Sequence, residues 1–294
     1  MLVYVTQGHE KGIGIEIFLK AFSLLSKDKK QLIRYIGYKK SLVQTLKDNQ
    51  IPNTIIKDLN IIEPEAYVFS ESLSTLLHAL KICTAEDILI TQPTTKDQLF
   101  FDNIKHLGHT ELFRYIYKNQ SIPMSFIGPK ANALLLSDHL PLKDVPNLSL
   151  DLIYNRLKIG LHGFLDHQLK IEHVYLSGIN PHSGEGGLLG NEDQMISDLQ
   201  IKIAKDFPQI KVSGPISGDA LHYKASKNSL LVYVYHDQGL SFFKSHSGLL
   251  GINTTFGLPF LRLSVDHGTA FDLYGKNIAD FTSMIYLFDF VFRK

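Results

Sequence analysis

Thirteen histidines are spread through the 294 residues of this chain, and four of them stand among neighbours that suggest chemistry. They are His109 in Gly-His-Thr-Glu, His139 in Asp-His-Leu-Pro-Leu, His182 in Asn-Pro-His-Ser-Gly-Glu-Gly-Gly and His236 in Tyr-His-Asp-Gln-Gly. His182 and His236 each follow an apolar, strand-like run by a few residues. In open α/β sheets ligands gather beyond the carboxyl ends of strands, so side chains placed there can converge. Three neutral imidazoles from separate loops can hold a divalent ion and leave positions open for a substrate. Such an ion would lower the pKa of a bound hydroxyl and stabilise a developing oxyanion. Spacing alone leaves a second reading open. The histidines follow no short ligand pattern such as i, i+4, and a lone histidine is usually an ordinary polar residue.

Glycines and cations carry similar ambiguity. Gly8-His9-Glu10-Lys11-Gly12-Ile13-Gly14 lies between a strand-like and a helix-like stretch, where backbone amides can meet a cofactor. It does not match Gly-x-Gly-x-x-Gly, so a plain tight turn reads equally well. Gly184 to Gly187 with Gly190 form a second glycine-rich loop, readable as a mobile surface segment. Lys244 and Arg262 flank polar, glycine-containing turns. They can bind carboxylate or phosphate, Arg by a two-pronged contact and Lys as a point charge. Singly, each is more often a solvated surface charge, and Lys96 after Thr94-Thr95 reads the same way.

The elements that would position these groups alternate. Leu2 to Thr6 reads as a buried strand, and Ile15 to Ser26 as a helix with Ile17, Phe18, Ala21, Phe22 and Leu25 at helical spacing. Further strand-like runs are Arg34 to Gly37, Asp87 to Thr91, Ser125 to Gly128, Val174 to Gly178 and Leu230 to Tyr235. Strands separated by helical segments predict an α/β fold with a largely parallel sheet. Residues 38 to 86 are rich in lysine and isoleucine and carry no motif. The length predicts one large or two medium domains. Lysine plus arginine number 30 and aspartate plus glutamate 29, which leaves no electrostatic footprint for nucleic acid or an anionic membrane. The single cysteine, Cys83, allows neither an intrachain disulfide nor a cysteine-based metal site. No signal-peptide pattern and no membrane-length apolar run is seen, so a cytoplasmic location is expected.

Taken together, the motifs resemble the 4-hydroxythreonine-4-phosphate dehydrogenase family of pyridoxal phosphate biosynthesis. The matching segments are Gly12-Ile13-Gly14-x-Glu16, Gly108-His109-Thr110-Glu111, His139-Leu140-Pro141-Leu142 and Asn180-Pro181-His182-x-Gly184-Glu185-Gly186-Gly187. They continue through Gly214-Pro215, Asp219, Tyr235-His236-Asp237-Gln238-Gly239, Gly257-Leu258-Pro259-Phe260-x-Arg262 and Asp266-His267-Gly268-Thr269-Ala270, in the family's order. The resemblance implies that His139, His182 and His236 hold a divalent metal (zinc, magnesium or cobalt). It implies that His109, Thr110, Lys244, Asn253 and Arg262 bind a small phosphorylated amino-acid substrate. Asp237, Lys244 and Asp219 match positions near the reacting atoms, and Gly12, Gly14, Gly268, Thr269 and Ala270 match the cofactor loops. The cofactor implied is NAD, with NADP as an alternative, and the assembly implied is a homodimer with its active site near the interface.

The family also resembles the decarboxylating dehydrogenases of the isocitrate and isopropylmalate type. A two-subdomain α/β fold of that type is therefore expected, with residues 1-105 plus 265-294 as one subdomain and 106-264 as the other, carrying most metal and substrate residues. The implied reaction oxidises 4-phosphohydroxy-L-threonine and decarboxylates it to 3-amino-2-oxopropyl phosphate. A related dehydrogenase on another phosphorylated four-carbon hydroxy acid, or a non-catalytic ligand-binding homologue, stays open. The chain departs from the family mainly on the cofactor side. Asp-Pro-Ala becomes His9-Glu10-Lys11 and a later proline becomes Ile15, which predicts a looser loop. A Thr-Ala-Pro-Ile-Asn-Lys segment becomes Thr91 to Lys96 with Gln92, Thr94 and Thr95, and Ala-Gly becomes Tyr274-Gly275.

Overall fold

The structure is a computed structural model and describes residues 1–293. The chain builds two compact units. Met1–Leu112 and the residues from Leu258 onward form the first, and Phe113–Gly257 form the second.

In chain order the first unit begins with β1 (Val3–Thr6), α1 (Gly14–Ser23), α2 (Lys27–Leu32), β2 (Ile33–Ile36), α3 (Lys39–Asp48), β3 (Asn60–Ile62), α4 (Glu71–Ile82) and β4 (Ile88–Thr91). A small hairpin of β5 (Phe100–Phe101) and β6 (Ile104–Lys105) follows. Every residue of β1 and β4 is buried, as expected for strands covered on both faces. Helix α1 buries Ile15, Ile17, Phe18 and Phe22, and Phe18 stacks on Tyr35 of β2 at 5.0 Å. Helix α4 starts where the Ser70 hydroxyl accepts the Leu73 N–H at 3.0 Å, a side-chain cap. Residues 38 to 86 thus contain α3, β3 and α4, which carry no motif, though α3 and α4 each bury a face and α4 is capped.

Helix α5 (His109–Ile116) contains the division between units. The second unit then runs β7 (Met124–Ile127), β8 (Asn132–Leu135), α6 (Leu150–Asp166), β9 (His173–Ser177), α7 (Gln194–Asp206), β10 (Lys211–Ile216), β11 (Ser229–Tyr233), α8 (His236–Ser247) and β12 (Ile252–Thr255). Its strands lie in the order β10-β9-β11-β8-β7-β12. The pairs β10–β9, β9–β11 and β11–β8 are parallel, while β7 is antiparallel to both β8 and β12. Its core gathers Phe126, Leu135, Leu231, Tyr233 and Phe243.

The chain re-enters the first unit with β13 (Leu261–Val265) and α9 (Thr282–Val291). There the strand order is β13-β4-β1-β2-β3, and every pair is parallel. The re-entry precedes β13 instead of following it, because Leu261, Arg262 and Leu263 pair with Ile88, Leu89 and Ile90 of β4. Arg262 therefore belongs to the first unit, as do His109 and Thr110. The two cations expected beside turns lie in regular elements that adjoin them: Lys244 is in the last turn of α8, before Gly248, and Arg262 is the second residue of β13, after the bend at Gly257 to Phe260. Among the described residues no helix is long and apolar enough to cross a membrane.

Candidate active site

Three parallel neighbours, β9, β11 and β8, end at the same edge of the second unit's sheet. Each leads into one of the candidate metal ligands. His182 follows β9, His236 follows β11 as the first residue of α8, and His139 follows β8. Asp219 follows β10, the next strand in the row. The topology thus collects four candidate groups at the carboxyl ends of adjacent parallel strands, where such sheets bind ligands.

His139 and His236 face each other with ring centroids 5.1 Å apart. The His236 Nδ1 lies 2.7 Å from the Asp237 carboxylate. With the proton on Nδ1, that bond fixes the tautomer and leaves the Nε2 lone pair to face a metal, the usual way a carboxylate orients a ligating histidine. His139 is preceded by Asp138, which has φ 53° and pairs with the Arg114 guanidinium in a buried ion pair. Imidazole donors of this kind suit a borderline divalent ion. His182 is not drawn into the pair, and among the described residues no three His, Cys, Asp or Glu side chains gather as a metal-holding group. His182 begins a run of left-handed backbone.

Gln238 ties two of these loops together. Its Oε1 accepts the Ser177 hydroxyl at 2.8 Å and the Val234 N–H at 3.2 Å, and its Nε2 donates to the Gly178 carbonyl at 3.0 Å. The start of α8, which bears His236, is therefore bonded to the end of β9, which leads to His182. The sequence motif contained Gln238 but carried no signal of this role. Asp219 is exposed and accepts the Ser217 hydroxyl at 2.5 Å. That bond holds its carboxyl below the usual carboxylate range, with a smaller contribution from His182.

Lys244 and Asn253 sit lower in the same unit. Lys244 lies eight residues, about 12 Å of helix rise, beyond His236. Asn253 pairs across strands with Phe126, whose ring packs 5.2 Å from Phe243 of α8. Cross-strand partners share a face, so Asn253 faces α8, which carries Lys244.

The first unit gathers the remaining candidates. Arg262 is 3% exposed, and its Nε and Nη2 donate to the Thr91 hydroxyl at 3.0 and 2.6 Å. Burial lowers this guanidinium to about 9. The His109 imidazole is enclosed although the residue keeps some surface. That desolvation, with Arg262 as the second cause, lowers it to about 3. His109 is thus a neutral hydrogen-bonding group, and the positive charge resides on Arg262.

The two candidate cofactor loops touch. The Ile13 N–H donates to the Thr269 carbonyl at 2.9 Å. A Cβ at Gly12 would lie 3.3 Å from the Thr269 Cβ and carbonyl, and one at Gly14 would lie 3.2 Å from the Gln92 Cβ. Both glycines serve close packing between protein segments. Gly268 instead borders open space, and Ala270 adopts φ 43°. The altered loop is not loosened by the loss of its prolines. His9 packs edge-on against Phe271 at 4.7 Å, its N–H donates to the Pro93 carbonyl, and Glu10 accepts from Gln98 at 2.8 Å. Tyr274, in the place of a small residue, donates to Asp48 at 2.9 Å. Glu16, in the same motif, accepts the Ala279 N–H at 3.1 Å and pairs with Lys20 at 2.6 Å, joining α1 to the segment before α9.

Comparison with known proteins agrees with this architecture. A 4-hydroxythreonine-4-phosphate dehydrogenase from a Sulfurihydrogenibium species is 30% identical, covering 96% of this chain and 94% of that protein. A D-threonate 4-phosphate dehydrogenase from Cupriavidus necator is 34% identical over 68% of this chain and 61% of its own length. The crystal structure of a 4-hydroxythreonine-4-phosphate dehydrogenase from Klebsiella pneumoniae superposes with a TM-score of 0.76 at 22% identity, covering 98% of both chains. An isocitrate dehydrogenase from Methylococcus capsulatus shares the fold at a TM-score of 0.52 and 13% identity, over 97% of this chain and 83% of that one. The family described as pyridoxal phosphate biosynthetic protein PdxA matches residues 20–289, and the chain belongs to that family.

Proposed function

We propose that this protein is an NAD-dependent, divalent-metal-dependent dehydrogenase that oxidises 4-phosphohydroxy-L-threonine and releases carbon dioxide to give 3-amino-2-oxopropyl phosphate. The observation that carries the reading is the placement of His139, His182 and His236 at the ends of three adjacent parallel strands. These three would hold the metal, with Asp237 fixing the His236 tautomer. A divalent ion there would lower the pKa of the substrate hydroxyl and stabilise negative charge on the oxygen as the carbonyl forms. NAD, when bound, would supply the hydride acceptor for the carbinol carbon, and the loops at Gly12, Gly14 and Gly268 to Ala270 are the segments that would hold it.

The chain's own groups bind, orient and move protons. Arg262 supplies a fixed buried charge to a substrate anion, and neutral His109 with the Thr110 hydroxyl supplies uncharged hydrogen bonds. Lys244 and Asn253 would bind the other anionic end. Asp237 takes the hydroxyl proton. Asp219, held ionised by Ser217, keeps a negative charge near the substrate amine. The β-keto acid then loses carbon dioxide and gains a proton at carbon, for which Lys244 is the candidate donor. The working assembly is a homodimer with this site near its interface.

A second reading is oxidation of D-threonate 4-phosphate, favoured by the relative of that name. The two substrates differ in carrying an amine or a hydroxyl beside the carboxylate. Purified protein is incubated with each substrate, NAD and a divalent metal, with a chelator control, and formation of reduced nicotinamide is followed. Metal-dependent reduction with the amino substrate at the higher kcat/KM is expected. Preference for D-threonate 4-phosphate would establish the second reading, and reduction that persists in chelator would contradict both.

A further inference from the structure

The turn that carries His182 is conformationally costly. His182, Ser183, Gly184, Glu185, Gly186 and Gly187 have φ of 51°, 53°, 77°, 46°, 67° and 97°. Left-handed backbone is unfavourable for L residues, and His182, Ser183 and Glu185 have no glycine freedom to offset it. Such a turn persists only where its surroundings over-determine it.

One side chain is placed to do this. Asp193 stands at the N-cap of α7, where an aspartate usually accepts an N–H of its own helix. It makes no such cap bond. Its Oδ1 accepts the Ile179 N–H at 2.7 Å and its Oδ2 accepts the Asn180 N–H at 3.1 Å, three and two residues before His182. Two glycines make room for the carboxylate. A Cβ at Gly178 would lie 2.7 Å from Oδ1, and one at Gly184 would lie 3.2 Å from Oδ2. Asp193 is 6% exposed, and α7 is anchored in the core by Ile196, Leu199 and Ile203. Beside it the exposed Glu192 carboxylate accepts from the Asn180 Nδ2 at 2.7 Å.

We infer that Asp193 is the positioning residue for His182: its carboxylate, mounted on a rigid helix, holds the entry to the left-handed turn at Ile179 and Asn180, lies close against Gly184 within it, and so sets where the third imidazole stands. The inference rests on the reading of His182 as a metal ligand. Residues that orient a ligand in this way alter metal affinity by roughly 10- to 100-fold when removed.

The test is titration of the metal-free protein with Co(II), read by visible absorption, alongside thermal melting without metal. Asp193→Asn keeps one acceptor and sets an amide N–H2 against the second backbone N–H. It is expected to weaken Co(II) binding by roughly tenfold or more and to shift the absorption bands towards those of His182→Ala. Glu192→Gln, at a solvent-exposed bond, stays within about twofold. If Asp193→Asn lowers the melting temperature yet leaves Co(II) affinity and spectrum at wild type, Asp193 serves folding alone and the inference is wrong. Should Asp193→Asn not fold, Gly184→Ala crowds the same carboxylate and is expected to show the same loss; wild-type affinity there overturns the inference. His182→Ala that binds Co(II) as wild type does, or wild-type protein that binds none, sinks the metal reading and the inference together. Wild-type behaviour of Asp193→Asn beside a defective His182→Ala sinks the inference alone.

Discussion

The candidate residues of the two units differ in how they meet solvent. In the first unit Arg262, Thr110 and Thr269 are 3%, 5% and 9% exposed, and the loops at Gly12 and Thr269 are bonded to one another. In the second unit His139, His182, Asp219 and Lys244 are exposed, and two of their loops use left-handed backbone. Burial fixes direction and strengthens electrostatics, which suits groups that recognise one anion. Exposed imidazoles on parallel strand ends suit groups that wait for an ion. The contrast also accounts for where the chain departs from its relatives. Among the altered residues on the cofactor side, His9 packs on Phe271 and Tyr274 donates to Asp48.

If the first unit holds the fixed anion contact, Arg262→Met should show the largest effect there. The substrate KM is expected to rise roughly 100-fold, the size of a lost charge-assisted contact, with metal content unchanged. An unchanged KM would break the assignment of anion recognition to this unit. A smaller effect separates the units by pH. His109 falls to about 3 in the folded protein against the ordinary 6.5. Between those values the unfolded chain binds a proton that the folded one refuses. This stability contribution is complete above about pH 6.5 and is lost as pH falls towards 3, by at most ~1.4 kcal/mol per pH unit. His109→Asn should flatten the melting temperature between about pH 7 and pH 5; an identical slope in both proteins would place the acid-sensitive group elsewhere.

Much of this arrangement was legible in the sequence. The strand-like runs at Leu2, Arg34, Asp87, Ser125, Val174 and Leu230 fall on β1, β2, β4, β7, β9 and β11; five are parallel strands and β7 is antiparallel, and all are short, largely buried apolar runs. Strand β13 was missed because Arg262 interrupts it, and a charge is read as solvated until a tertiary partner such as Thr91 appears. Helix α3 leaves little local signal because its ten residues are mostly polar, three of them lysine, and it buries only four. The histidines could be named from their motifs, yet not the devices that hold them. Gln238 and Asp193 act across 60 and 14 residues of sequence, and such contacts leave no local pattern. The packing role of Gly12 likewise depends on Thr269, far along the chain.

The central claim is that three histidines on neighbouring strand ends share one divalent ion. Its most direct test is metal stoichiometry by elemental analysis after equilibrium dialysis, for wild type, His182→Ala and His236→Ala. The account predicts one tightly held ion per wild-type chain and at least a hundredfold weaker retention in each variant. Full occupancy in either variant would contradict it.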